Sequence, residues 1–459
     1  MIDTKTLIAI RFGTGLPLPD GAPADPEAML QRLAGPDLAT RTWPALTTAA
    51  ALSVHAAAAA ATKRRKQQVV GPDGSMVDGK DAYRATRQAL RLQSERAVLI
   101  SVARAVGATD GFRERLVRFW ADHFTTVAKS PLHAGLVPAM VDDVIRANVT
   151  GRFSDLLIAA TLHPAMILYL DQHRSVGPNS PKSKGGRNGL NENLARELIE
   201  LHSLGVDATY AQSDVRQMAE LLTGLLFAPG QGQVFNAKAA EPGPETVLGQ
   251  TYDGDGVAPI LAALEDLALR PETARHLSRK LAAHFVSDTP DPAMIAAMTN
   301  AYAETGGDLM AVYRAMLLHP SAWLPDLAKA RQPYDFIIAA LRALNIGPAQ
   351  IGDMPLHTMA KRLLQPMARM GQPMYRAPGP DGWAEEAEAW ITPQGLAARI
   401  TWAMEVPSRL LAELPEPDAL GARALGPLIS VPLAFAMAAA ENRREGVGLV
   451  LASAEFNRR

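Results

Sequence analysis

Hydrophobic and polar positions follow a helical period over most of this chain. The clearest case is the stretch 191–205, NENLARELIELHSLG. At about 100° per residue, Leu194, Leu198 and Leu201 fall on one narrow apolar seam, which Ala195 and Ile199 widen on one flank. Glu192, Arg196 and Glu200 follow one another in steps of four on the far side, so Arg196 can pair with both glutamates at roughly 0.3 kcal/mol each. Asn193 and Glu197 form a parallel polar row. Asn191 is the expected N-cap and Gly205 the expected left-handed stop, with Val206 making the apolar contact that accompanies such a stop. The pattern predicts a helix over 191–204, with Asn191 and His202 on its apolar flank.

The same period predicts helices over 26–33, 47–68, 81–106, 112–126, 136–149, 153–162, 164–170, 214–225, 257–268, 271–286, 292–303, 307–318, 334–344, 394–413 and 428–453. In 112–126, the residues Leu116, Val117, Trp120, His123 and Phe124 make one stripe. Four interruptions stand out. Residues 71–80 read as a turn-rich connector, and 175–189 as a flexible loop carrying Lys182, Lys184 and Arg187. That loop lacks the spacing of a phosphate-binding loop, and reads as an insertion or a lid. Residues 227–252 are rich in Gly and Pro, with VFN and TVLGQTY as short strands of a minor hairpin. Residues 365–392 are irregular. No fixed-period repeat and no recurring strand–helix–strand pattern appear, which argues against Rossmann and barrel architectures. The expected fold is all-α: many helices in one body spanning 1–459, helical over more than half its residues, with a minor β-hairpin near 227–252.

NENLARELIELHSLGVDATYAQSDV, together with FWADHFT (119–125), HPAMILYLD (163–171), RKLAAHFV (279–286), GGDLMAVYRAMLLHPSAW (306–323) and MGQPMYRAPGPDGW (370–383), resembles the bacterial family known as domain of unknown function 1800, over nearly the whole chain. The resemblance implies a bacterial protein, often encoded beside a sulfatase-like protein that would be its partner. It brings no established activity, and so no catalytic residues. The chain departs from the family pattern at Ala208 and Thr209, where a double glycine is usual, and at Ala211, which replaces a capping threonine. Thr209 or Ser213 is left to cap the next helix. Arg270 precedes Pro271 where the family often has histidine.

Composition narrows the chemistry. With 459 residues, 48% hydrophobic and 20% charged, the chain is an ordinary globular protein, and its formal net charge of −1 draws neither nucleic acid nor an anionic membrane. Cysteine is absent, which removes disulfides, thiol nucleophiles, iron–sulfur clusters and thiolate-bound zinc. No apolar run approaches the roughly 18 residues of a transmembrane helix, and no signal peptide is visible. As numbered, the chain reads as cytoplasmic; a signal removed before residue 1 would make it periplasmic.

HExxH, GxSxG and GxGxxG in a strand–helix context are missing. What remains is a constellation. His123, His202 and His284 flank apolar helix faces, Asp122, Asp171, Asn191, Glu192, Glu197 and Glu200 supply oxygens, and Arg196 supplies an anion-binding fork. Two function classes follow. One is an enzyme whose carboxylates, histidines and Arg196 converge from facing helices, with the cofactor, if any, unspecified. The other is a non-catalytic binding or assembly protein whose charged helix is a structural ion-pair network. In the first reading the site lies where the central helix meets the helices bearing His123 and Asp171, and 370–383 folds over its polar end as a pocket wall.

Overall fold

The computed structural model describes residues 2–66, 68–70, 73–74, 76–183 and 189–459. Among the described residues the fold is 61% helical, so the mainly helical expectation holds. Several expected helix starts recur because the caps are local, whereas the stretches expected as single helices over 394–413 and 428–453 each divide in two, as Pro393–Glu405 with Pro407–Leu410 and Val431–Ala438 with Arg443–Ala452. Thr47 accepts from the Ala50 amide to start Thr48–Arg64, Asp78 caps Gly79–Gly107, and Asp110 caps Gly111–His123. Lys184 and Arg187 of the basic loop lie outside the described residues.

Histidine does the capping at two His–Pro steps. The Nδ1 of His163 accepts from the Ala165 amide at 3.1 Å, and that of His319 from the Ser321 amide at 3.3 Å. Proline at the next position has no N–H to satisfy and presets the helical φ. At Arg270–Pro271, another X–Pro start, Arg270 cannot accept; its guanidinium reaches the Leu248 carbonyl at 2.7 Å instead.

Strand content is more divided than expected. Among the described residues there are three two-stranded antiparallel hairpins: Gln68–Val70 with Met76–Asp78, Leu225–Ala228 with Gly232–Phe235, and Glu245–Val247 with Gln250–Tyr252. The second strand of the first falls on the predicted 71–80 connector, and its first strand follows the helix expected over 47–68, which ends at Arg64. The other two replace the single hairpin near 227–252. TVLGQTY is itself a hairpin, because Leu248 and Gly249 both take positive φ, 52° and 81°, the conformation of a two-residue primed turn.

The central helix runs Asn193–Glu200, shorter than 191–204. Most of its seam is fully enclosed, namely Leu194, Ala195, Leu198 and Ile199, whereas Leu201, just past the helix end, is only half-buried. Beyond Glu200 the chain widens, with the His202 amide bonding the Glu197 carbonyl at 2.8 Å and the Leu204 amide that of Ile199 at 3.0 Å. Gly205 takes the left-handed stop at φ 91°, but Val206 is exposed and does not make the expected contact. The next helix runs Gln212–Leu221 with Ala211 at its N-cap, so neither Thr209 nor Ser213 caps it. Asp214 instead accepts from the Ala211 amide at 2.7 Å and the Leu248 amide at 2.8 Å, tying helix to hairpin.

Apolar residues gather in two clusters. One packs the central helix, Gly111–His123, Pro271–Phe285 and Leu309–Leu318. The other packs the second half of Gly79–Gly107 against Pro333–Ala343, Pro393–Glu405 and Arg443–Ala452. Tyr375 packs against both. Between them runs a polar seam where Arg115 of the first cluster's helix pairs with Asp335 of the second's at 3.1 Å. Among the described residues, no helix is long and apolar enough to cross a membrane.

Candidate functional site

Two helices and one irregular segment furnish the seam. On Gly111–His123, Arg115, Arg118 and Asp122 are spaced three and four apart and share a face. On Pro271–Phe285, His276, Lys280 and His284 recur every fourth residue. The segment 370–383 brings Gln372, Tyr375, Gly382 and Trp383.

Asp122 is half-buried. The Trp383 amide lies 3.1 Å from each of its carboxylate oxygens. That approach needs a glycine at position 382: its φ is +84°, and a Cβ there would stand 2.7 Å from Asp122 Oδ2. Burial pushes the Asp122 carboxyl up to about 7, against the pull of the Trp383 amide, Lys280 and Arg118, and with help from Glu385. Two small cavities adjoin it. One, of about 30 Å³, is bounded by Asp122, Thr125, Thr126, Tyr375 and Trp383; the other, of about 20 Å³, by Asp122, Arg118, His284 and Trp383. Each has room for a water. Tyr375, Ala377 and Trp383 thus wall a cavity, and Tyr375 does so from a left-handed backbone, φ 54°.

Hydrogen-bond partners assign the histidine protons. His123 Nε2 lies 3.2 Å from the His202 carbonyl, which can only accept, so Nε2 carries the proton. Nδ1 is then a lone pair, and Lys280 Nζ donates to it at 3.2 Å. Burial, and then the charge of Lys280, hold His123 far below its ordinary value. His284 has the opposite tautomer. Arg115 Nη2 donates to its Nε2 at 3.0 Å, so Nδ1 carries the proton and donates to Glu385 at 2.5 Å. Burial pushes the Glu385 carboxyl up, but His284 and Lys329, whose Nζ is 3.2 Å away, bring it down to about 2. Lys329 also binds Asp288 at 2.6 Å.

The central helix reaches the site at fewer points than its sequence suggested. The rings of His123 and His202 lie 6.0 Å apart. His202 is 1% exposed, packs on Phe124 with ring centroids 5.1 Å apart, and neither ring nitrogen has a hydrogen-bond partner. Burial takes it down to about 3. Glu197 is pushed up by burial and by Glu200, and it also feels the charge of Asp381, which acts on Lys280 as well. The others bond elsewhere. Asp171, left-handed at φ 57°, pairs with Lys129 at 2.6 Å. The Asn191 side chain donates to the Leu170 and Asp171 carbonyls, both at 3.2 Å, and accepts from the Asn193 amide at 2.9 Å. Arg196 binds Glu200 at 3.0 Å, Glu192 at 3.5 Å and Gln212 at 3.1 Å. Among the described residues, none of Asp171, Glu192 and Glu197 hydrogen-bonds to His123 or His202, and no group of three or more His, Asp or Glu side chains is arranged to hold a metal ion.

Lys280, His276, Arg118 and Glu385 are absent from the sequence-derived constellation. For the first two a signal was present: HLSRKLAAH sets a lysine between two histidines at steps of four, on one helical face.

A family model described as "Protein of unknown function (DUF1800)" matches residues 20–458. No curated protein and no solved structure matches the chain.

Proposed function

Because the chain belongs to the DUF1800 family of proteins of unknown function, its activity has to be read from its own side chains, and we propose an enzyme working by general acid–base chemistry, with Asp122 as the proton-moving group. The observation that carries this reading is the setting of Asp122: half-buried between two water-sized cavities, gripped by a main-chain amide and within the field of Lys280. A carboxyl titrating near neutrality is populated in both forms, so it can take a proton and return it. The reaction class that fits is hydrolysis. Asp122 takes a proton from a water in the adjoining cavity, the water oxygen attacks a polar carbonyl or phosphoryl centre, and Asp122 returns the proton to the leaving group. Lys280 and Arg118 supply fixed positive charge for the developing oxyanion.

The test does not require the natural substrate. Carboxyl-carbon NMR should find Asp122 titrating near pH 7; an ordinary midpoint near 4 would sink the proposal. Across a panel of nitrophenyl esters, phosphates and glycosides, Asp122→Asn should lower any turnover by a factor on the order of 10²–10⁴, with the melting temperature unchanged. The family resemblance adds a sulfatase-like protein as partner, to be tested by co-purification after co-expression.

The non-catalytic reading draws on the charged row. Glu192, Arg196, Glu200 and Gln212 close a half-exposed lattice of ion pairs and hydrogen bonds, a structural use of those residues.

A further inference from the structure

A cavity of about 470 Å³ opens where residues 35–37 and the helix Leu38–Thr42 face the joint between Gly79–Gly107 and Gly111–His123. It shares no lining residue with the two cavities at Asp122. Its charged lining is Arg32, Arg104 and Arg113 against Asp37, Asp110 and Glu114. Arg146 and Asp142 stand behind them as partners, so the whole set is neutral. The charges are unevenly placed, however. Arg104 pairs with Asp142, both enclosed, and Arg113 with Asp110 at 3.3 Å. The one guanidinium of Arg146 serves two carboxylates: it donates to the oxygens of Glu114 at 2.9 and 2.6 Å and to Asp37 Oδ2 at 3.0 Å. That end carries one negative charge in excess. Arg32 is the opposite case. It is half-exposed in the last turn of Pro26–Ala34 and donates to the Thr109 carbonyl at 3.2 Å and the Gly21 carbonyl at 2.6 Å. Among the described residues no carboxylate forms an ion pair with it.

Both uncompensated groups are within reach of a ligand, since Arg32 is half-exposed and the Asp37 side chain is 18% exposed. Burial pushes the Asp37 carboxyl up, but Arg146 and Arg113 bring it below its ordinary value, so it is ionised at neutral pH. Between the two charges the wall is apolar, with Leu38, Trp43 and Pro348. The Trp43 ring is seated there by a glycine: a Cβ at Gly352 would stand 2.2 Å from its Cζ3. We propose that this cavity binds a small zwitterion with an apolar body, the chemistry shared by an apolar amino acid and a dipeptide, its carboxylate on Arg32, its ammonium on Asp37 and its side chain against Trp43, Leu38 and Pro348. A cavity with a surplus of each sign focuses a field that one charge alone satisfies at only one end. The zwitterion is thereby selected over the simple acid and the simple amine, and the aromatic wall selects an apolar side chain over a polar one. The volume lies within the roughly 300–1,000 Å³ of ligand cavities. This site stands or falls independently of Asp122.

The experiment is thermal unfolding of the full chain with phenylalanine, leucyl-phenylalanine, phenylpropanoate or phenethylamine, supported by calorimetric titration. The last two keep the apolar body and one charge each. A zwitterion should raise the melting temperature saturably, as a ligand bound only by the native state does. The tighter of the two tells whether amino acid or peptide is the occupant, and the acid and the amine should do much less. Arg32→Gln should weaken zwitterion binding by about tenfold or more. Since Arg32 bonds only main-chain carbonyls, that variant should melt as the parent does without ligand. Asp37→Asn keeps a capping oxygen for Leu38–Thr42 while removing the charge, and should weaken binding likewise; if it fails to fold, Arg32→Gln decides. A shift by the acid or the amine equal to that of the zwitterions overturns the proposal. So does an unaltered zwitterion effect in either folded variant, or no shift by either zwitterion.

Discussion

Lys329 and Glu385 set the stakes at the scale of single residues. Lys329 is 1% exposed, so its charge is tolerated only through Asp288 and Glu385. Glu385→Gln removes a charge, keeps the shape, and leaves the His284 N–H facing a weaker acceptor. The expected cost is about 2 kcal/mol of unfolding free energy, the range for hydrogen bonds to charged groups, read from the urea midpoint. A variant as stable as the parent would mean that water already serves Lys329. Residues of this kind were illegible in advance. Glu385 sits in a stretch without periodicity, and its importance comes from His284, 101 positions away. His202 misleads in the other direction. A buried imidazole ordinarily has an acceptor or a ligand, yet both its ring nitrogens lack one. Its flank of the helix faces Phe124, and aromatic packing took the place of hydrogen bonding.

At the scale of elements, the central helix separates burial from charge. Leu198 is fully enclosed in the first apolar cluster, so Leu198→Ala should cost about 3 kcal/mol through the lost transfer energy and the cavity left behind. Arg196 has a side chain 38% exposed, and its bonds to Glu192 and Glu200 are surface ion pairs. Arg196→Ala should therefore cost less than about 1 kcal/mol, and less still in high salt. Chemical denaturation of the two variants side by side tests the contrast, and equal losses would contradict it. The helices themselves were readable because period and cap are local properties: the helices capped by Thr47, Asp78 and Asp110 start within two residues of the expected 47, 81 and 112. The first hairpin was not, because its strands Gln68–Val70 and Met76–Asp78 are only three residues each, too short to show an alternating pattern. The short helix at Thr4–Leu7 and its continuation to Phe12 were missed for a different reason: they are buried nearly all round and carry no amphipathic stripe.

Over the whole molecule, neutral histidines dominate the response to acid. His163, His276 and His133 are held down to about 4 and His202 to about 3, each chiefly by burial. Their folded values lie below the unfolded value near 6.5, so as pH falls below 6.5 the unfolded chain takes up protons that the native chain refuses. Stability is full above that point and declines towards pH 4, by up to about 1.4 kcal/mol per pH unit for each fully buried histidine. Asp122 and Glu245, both raised to about 7, oppose this because their native forms bind protons first. Four histidines outweigh two carboxyls, so the urea midpoint should fall between pH 6.5 and 4.5, and His202→Phe should flatten the fall. A midpoint that holds or rises would refute the balance. The candidate site was half legible on the same terms. His123, Asp122 and His284 follow from helical stripes, whereas Trp383 and Glu385 enter from an irregular segment whose path depends on tertiary contacts.

The grip of the Trp383 amide on Asp122 joins positions 261 apart in the chain. At a ribosomal pace of roughly 5–20 residues per second, Asp122 leaves the peptidyl-transfer centre roughly 13–50 s before its partner is made. Throughout that interval the segment that encloses it does not exist, and the carboxyl meets bulk water as an ordinary, ionised aspartate. The helices around it can form early, since their contacts are short in sequence, while the closure by Gly382 and Trp383 belongs to the slow, non-local part of folding. The nascent protein is therefore helical long before Asp122 is enclosed, and the acid–base role proposed for that carboxyl waits on the last fifth of the chain's synthesis.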